Sequence, residues 1–348
     1  MPRPEHLRYH VGFAYVSSDL RPPVLVTGAT GFVGSHLVER LVEAGVRPRC
    51  LVRRSSSLKG LPAGSVDFVY GELATGDGLT GAVAGAATIF HVAGTTKAFD
   101  AAAYWAGNFT GTRNLLAACE RLSTQPRFIH VSSLAAVGPS PGGAPLGEDS
   151  EPAPLTWYGE SKLAAERAVK ASPLACSAVI VRPPVVYGPR DTDVFQVFRA
   201  VARGTMPTIG RGESFFSYIH VQDLACALLA AARSEARDCR TYFAANPEPV
   251  SWTAFARLAA ELMNRPVRFL SVPPPAANLA AWCAELASWI RGKPGILSRQ
   301  KVLEARCRYW VCDTARAASE LGFRPEHSLR QGVAETLAWY KEAGWLAF

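Results

Sequence analysis

Residues 24–34 read VLVTGATGFVG. The run VLVT enters glycine directly, as a buried parallel strand does. Phe32 to Ala44 then carries Leu37, Leu41 and Val42 on one side and stops at Gly45, the pattern of a helix. Strand, glycine turn and helix in direct succession predict the opening unit of a parallel sheet.

The same rhythm continues outward. RCLV (49–52), VDFVY (66–70), TIFHVA (88–93), RFIHVSS (127–133) and AVIVR (178–182) read as further strands, with helices over 101–122 and 158–171. The expected class is α/β, a Rossmann doubly wound parallel sheet. After about residue 188 short helices, loops and the run Pro273–Pro275 replace the alternation, and VQDLACALLAAA, from Val221, returns to it. This divides the chain into an N-terminal extension (1–22) and a dinucleotide-binding domain (23–189) with 219–246 packing back on it. A smaller, discontinuous substrate lobe with the C-terminal helices takes 190–218 and 247–348.

Within the opening unit, Gly28 permits the tight turn. Gly31 lets backbone N–H groups approach a pyrophosphate, and Gly34 lets helix and strand pack closely. The phosphates then meet the positive end of the helix. Cofactor choice is read at the end of the second strand, where NAD calls for a carboxylate. The sequence there is LVRRSSS, with Arg53 and Arg54 and no acid before Asp67. A guanidinium binds a 2′-phosphate that a carboxylate would repel. NADP is therefore expected over NAD, with Ser55 and Lys59 as supplementary contacts. His91 in HVAG reads as a packed strand-end histidine, and Ala93 and Gly94 as small residues beside the cofactor ribose.

Tyr158 and Lys162, in YGESK, lie four residues apart and so share one helix face. An ammonium there can lower the pKa of a phenol whose ordinary value is about 10. A phenolate accessible near neutral pH can act as general base on an alcohol.

Composition sets the outer bounds. Among 348 residues, 37 Lys and Arg exceed 29 Asp and Glu, a formal charge of +8 that favours anionic ligands. No basic tract interleaved with aromatics points to nucleic acid. Eight cysteines lack CxxC pairs, and Cys307 and Cys312, the closest two, have no nearby His, so no metal is expected. Reduced, buried cysteines and an N-terminus with Arg3, Glu5 and Arg8 but no apolar leader suit a cytoplasmic protein. No apolar stretch reaches the ~18 residues that would span a bilayer.

TGATGFVG, HVAG, Asn108 in NFTGTRNLL, Ser133 in HVSSLAAVG, YGESK and RPPVVYGPRD occur in an order that resembles the extended short-chain dehydrogenases/reductases. The resemblance covers residue 23 to about 340. It implies an NAD(P)-dependent oxidoreductase in which Tyr158 is the proton donor or acceptor. Lys162 would lower its pKa and bind the nicotinamide ribose, and Ser133, with Ser132 as the alternative, would hydrogen-bond the reacting oxygen. Asn108 would steady the site. Thr27, Thr30, Phe32, Val33, Pro183 and Val185 join the glycines, arginines, Ala93 and Gly94 as implied cofactor contacts. The helices at 101–122 and 158–171 resemble those that pair across homodimers.

Two departures bear on the substrate. Sugar dehydratases resemble one another in an Asp-Glu pair beside the catalytic Ser or Thr, whereas Leu134 and Ala135 follow Ser133 here. Sugar epimerases place an Arg before the segment aligned with YIHVQDL, where this chain has Phe215 and Phe216, with Arg211 nearby. The lobe is otherwise apolar: AANLAAWCAELASWI (276–290) ends near Arg291 and Lys293. With Phe195, Phe198 and Phe215 as pocket residues, this favours a hydrophobic hydroxyl or ketone of sterol, steroid or flavonol type. The look is nearest to 3β-hydroxysteroid dehydrogenases and dihydroflavonol reductases, with coupled C4 decarboxylation as a variant. A nucleotide-sugar epimerase or reductase and a non-catalytic dinucleotide sensor are the alternatives. Residues 276–293 read as a packed helix, a lid or a peripheral contact with the inner face of a membrane.

Overall fold

The computed structural model describes residues 20–210, 213–235 and 238–348. Its centre is a parallel sheet built from β1 (Val24–Thr27), β2 (Arg49–Val52), β3 (Asp67–Tyr70), β4 (Thr88–His91), β5 (Arg127–Val131), β6 (Ala178–Arg182) and a seventh strand, Arg240–Phe243. The spatial order is Arg240–Phe243, β6, β5, β4, β1, β2, β3. The chain leaves β1 toward β2 and β3, then crosses back to β4 on the other side of β1. The switch point between β1 and β4 is where such sheets open a crevice at their carboxyl ends.

The inner strands are apolar on both faces because both faces are covered, while β3 at the edge leaves Asp67 and Tyr70 exposed. Val24 and Val26 join Phe90, Val179 and Val181 under the helices Phe32–Glu43 and Val221–Arg233. Leu25, alternating to the other face, joins Ile89, Phe128 and Ile180 under Leu115, Leu116 and Val169. A separate apolar cluster gathers Phe198, Phe216, Phe255, Leu337 and Tyr340 from the second half of the chain. There Phe215–Phe216 pairs antiparallel with Val250–Ser251 and parallel with Tyr309–Trp310.

Several elements stop earlier than their sequence patterns. β4 ends at His91 because the chain must turn past Gly28, and the Ala93 N–H leaves the ladder to donate to Thr27 Oγ1 at 3.2 Å. β5 ends at Val131, which leaves Ser132 and Ser133 beyond the strand. The helix expected over 101–122 is interrupted: Ala101–Tyr104 and Gly111–Cys119 flank a π turn, Trp105–Thr110. Residues 1–19 of the expected extension lie outside the described residues.

Candidate active site

The glycine loop has the shape its sequence requires. Gly28 sits at φ +70°, and a Cβ there would meet the Ala93 backbone nitrogen at 2.6 Å. A Cβ on Gly34 would lie 2.1 Å from the Gly28 carbonyl oxygen, so helix and turn touch through glycine alone. Gly31 is the N-cap of the helix Phe32–Glu43 and provides no side chain to its free N–H groups. An uncapped helix start in a side-chain-free cradle fits a dinucleotide pyrophosphate. Thr30, Phe32 and Val33 line the same turn. Arg53 and Arg54 follow β2 and are exposed, Arg54 lying 5.4 Å from the Tyr70 ring centre. Asp67, the first acid after them, is bonded to Arg47 at 2.8 Å. Pro183 is buried and its carbonyl accepts from the Leu134 N–H at 2.9 Å, while Val185 is half-buried in the next short strand.

His91 is structural. Its nitrogens meet Thr27 Oγ1 and Thr112 Oγ1, both at 2.8 Å, and burial pushes it down to about 3, so it stays neutral.

The helix Trp157–Ala171 carries Tyr158 and Lys162. Thr156 caps it, its hydroxyl accepting from the Gly159 N–H at 3.2 Å. A Cβ on Gly159 would stand 2.3 Å from the Ala135 carbonyl oxygen. This glycine lets the helix press against the turn after Ser133 and brings Tyr158 to that serine. Burial raises the Tyr158 pKa, a hydrogen bond with Ser133 and the charge of Lys301 oppose the rise, and Glu304 adds to it. Lys162 Nζ donates to the Val131 carbonyl at 2.7 Å, and burial lowers it to about 8. Thus the ammonium among the main influences on the phenol is Lys301, which sequence reading missed. Lys301 lies on the helix Arg299–Arg306, where no motif marks it.

That helix closes on the catalytic one. The Trp157 N–H donates to Gln300 Oε1 at 2.9 Å, Thr156 Oγ1 donates to Glu304 Oε1 at 3.3 Å, and Lys301 Nζ donates to Glu304 Oε2 at 2.7 Å.

Asn108 occupies the π turn. Its Oδ1 accepts from the Thr95 N–H at 2.7 Å, and its Nδ2 donates to the Thr95 carbonyl at 3.0 Å and to Ser161 Oγ at 2.9 Å. A Cβ on Gly94 would lie 3.2 Å from Asn108 Oδ1 and 3.7 Å from Lys162 Nζ, so these residues converge over Gly94.

The three phenylalanines assigned to a substrate pocket do not meet there. Phe198 is fully buried and packs against Phe255 and Tyr340, which corrects its assignment to that of a core residue. Phe195 packs on Tyr340 and Trp345 in the same region. Helical spacing alone does not distinguish a ring facing a cleft from one facing the lobe's own core. Phe215 is half-buried and stacks on Tyr309 with ring centres 6.0 Å apart, while Phe216 is buried on Trp252. Arg211 lies outside the described residues.

Among the described residues one group has metal-ligand chemistry: His220, His327 and Glu335, with ligand atoms within 4.8 Å of one another. His327 Nδ1 faces Asp223 at 2.8 Å and Nε2 faces Glu335 at 3.4 Å, the arrangement of a protonated imidazole between carboxylates.

Residues 24–243 match the NAD dependent epimerase/dehydratase family. A ceramide reductase of Caulobacter vibrioides is 34% identical over 95% of this chain and 98% of its own length. A 3 beta-hydroxysteroid dehydrogenase/Delta 5→4-isomerase of Mycobacterium tuberculosis is 29% identical over 91% of this chain and 90% of its own. The solved structure of MoeE5 in complex with UDP-glucose and NAD superposes with a TM-score of 0.73 at 27% identity, covering 92% of this chain and 99% of that one.

Proposed function

The chain belongs to the NAD-dependent epimerase/dehydratase family, as an extended short-chain dehydrogenase/reductase, and from that premise we propose that it is an NADP-linked oxidoreductase of a lipid ketone or alcohol. The reading rests on one observation: Gly159 presses the helix carrying Tyr158 and Lys162 onto the turn after Ser133, while Lys162 Nζ and Asn108 converge over Gly94, next to the Ala93 backbone that packs on Gly28.

The residues divide the chemistry among them. A nicotinamide dinucleotide supplies or accepts hydride when bound. Ser133 donates to the reacting oxygen and holds it at the phenol. Tyr158 gives that oxygen a proton in reduction and removes it in oxidation. Lys162, brought to about 8 by burial and held on the Val131 carbonyl next to Gly94, is placed to bind the nicotinamide ribose. Asn108 ties the loop at Thr95 to Ser161 on the Tyr158 helix, which fixes the distance between the two elements.

NADP is favoured by the exposed Arg53 and Arg54 and by a sequence with no Asp or Glu between Arg54 and Asp67, which is itself bonded to Arg47. A long-chain amphiphile of ceramide class, in the reductive direction, is favoured by the similarity to the ceramide reductase along nearly the whole chain. Sterol-type alcohols are the neighbouring class, favoured by the hydroxysteroid dehydrogenase. Against a nucleotide sugar stands the aromatic pair Phe215–Phe216 where a diphosphate-binding arginine would be needed. In favour of one stands the likeness to the MoeE5 complex.

The test is NADPH oxidation by the purified protein with a keto-ceramide and with a 3-ketosteroid, with binding and conversion of UDP-glucose followed in parallel by product analysis. Turnover of the lipid ketone, abolished in Tyr158→Phe with NADPH binding retained, is expected. Turnover or tight binding of UDP-glucose alone would overturn the reading.

A further inference from the structure

The helix Pro274–Ile290 turns its large apolar side chains away from the protein. At about 100° per residue, Leu279, Trp282, Leu286, Trp289 and Ile290 fall within an arc of about 100°. Ala277, Ala281 and Ser288, the buried residues, lie on the opposite side. Trp289 and Ile290 are each 73% exposed and Leu279 63%. Leu297 and Leu303 are exposed in the segment that follows. A helix docked on a protein core has the reverse polarity, and a contiguous apolar face of this kind marks an interaction surface.

The charge beside the stripe identifies the partner. Residues 274–310 contain six cations, Arg291, Lys293, Arg299, Lys301, Arg306 and Arg308, against two acids, Glu285 and Glu304. Both acids are engaged, Glu285 by Arg299 and Glu304 by Lys301, each at 2.7 Å. Arg291 and Lys293 follow the stripe directly and are exposed. With 17 residues, the helix is not long and apolar enough to cross a bilayer. Leucines within a stripe, tryptophans among them and cations at its end fit a helix lying in the plane of an anionic lipid surface.

We propose that this face docks on an anionic bilayer and delivers the substrate from it. The delivery part rests on the lipid-substrate reading above; the docking part does not. The path to the site is short. Glu285 accepts from the Arg299 N–H at 2.8 Å and Ala281 packs on Val302, which joins the stripe-bearing helix to the one that touches Thr156 and Trp157. Contact at the stripe thereby reaches the cap of the helix carrying Tyr158.

Flotation with vesicles of phosphatidylcholine plus phosphatidylglycerol, against phosphatidylcholine alone, tests the docking. The wild type and Tyr158→Phe should float with the anionic vesicles, with a blue shift in tryptophan fluorescence. The double variant Trp282→Glu/Trp289→Glu should lose at least about tenfold in binding. It should also lose turnover of a vesicle-embedded ketone while keeping turnover of a water-soluble short-chain ketone. Absence of flotation, or flotation unaffected by the double variant, would overturn the proposal. So would a wild-type dimer that the double variant converts to monomer, which assigns the face to a second copy. If flotation follows the expectation but no apolar ketone is turned over by the wild type, the docking stands and the substrate reading falls.

Discussion

The Ser132 hydroxyl donates a 2.5 Å hydrogen bond to the buried Glu166 carboxylate. Arg182 holds the same carboxylate through Nε at 2.8 Å and Nη2 at 2.6 Å. Ser132 is thus part of a buried ion-pair network, and Ser133, which opposes the rise in the Tyr158 pKa, is the serine that acts on the phenol. The two adjacent serines should separate cleanly. Ser133→Ala should lower kcat by about 100-fold or more, the scale of a lost donor to a reacting oxygen, with little change in thermal stability. Ser132→Ala should leave kcat near wild type and cost about 1–3 kcal/mol of stability, because it removes a bond from a buried charge. Steady-state kinetics with thermal unfolding checks both, and the opposite pattern would exchange their roles.

Lys301 and Glu304 act on the phenol with opposite sign. Removing the cation in Lys301→Met should raise the Tyr158 pKa and shift the corresponding limb of the pH profile of kcat/KM upward. Removing the carboxylate in Glu304→Gln should shift that limb downward. Profiles of the two variants against wild type test this. Shifts of the same sign in both would show that the limb reports another group.

Gly159 sets how closely the catalytic helix approaches the turn after Ser133. In Gly159→Ala the new methyl would meet the Ala135 carbonyl, a backbone atom that cannot rotate away. The expected result is a loss of about 1–3 kcal/mol of stability. A fall in kcat of about tenfold or more should accompany it, because Tyr158 and Ser133 move apart. NADPH affinity should be nearly unchanged, since the Gly28–Gly34 cradle is on another element. Full activity in this variant would mean that the contact does not set the Tyr158–Ser133 distance.

Six of the seven strands were legible because each centres on a short apolar run bounded by turn residues, and β1 with its glycines specifies a local shape; Arg240–Phe243, which reads RTYF, carries no such run and was not singled out. Tyr158 and Lys162 were legible because four residues on a helix define one face whatever surrounds it. Features set by distant contacts were not. The π turn at Trp105–Thr110 accompanies Asn108 bonding to Thr95 and Gly107 passing so close that a Cβ would lie 2.0 Å from Thr95 Oγ1. Nothing in residues 101–122 alone signals that neighbour. Lys301 lies well over a hundred residues from Tyr158 in an ordinary basic stretch, so only the fold reveals the pair. The choice between Ser132 and Ser133 likewise awaited the position of Glu166.

His327 makes the stability of the C-terminal segment depend on pH. Burial alone would depress its imidazole, but hydrogen bonds and charge from Asp223 and Glu335 outweigh that effect and raise it to about 9. Its folded pKa therefore lies above the ordinary histidine value of about 6.5. The sign follows: protonation favours the folded state, so the contribution is full below about pH 6.5 and is lost as pH rises through about 9. The size is on the order of 3 kcal/mol for this largely buried group. His220, stacked on it with ring centres 4.2 Å apart, is held well below its ordinary value by burial and by the charge of His327, so it stays neutral across the same range. Urea unfolding should show wild type losing stability between pH 6.5 and 9.5, while Asp223→Asn starts less stable and has a shallower slope. Equal slopes in the two proteins would place the pH dependence elsewhere.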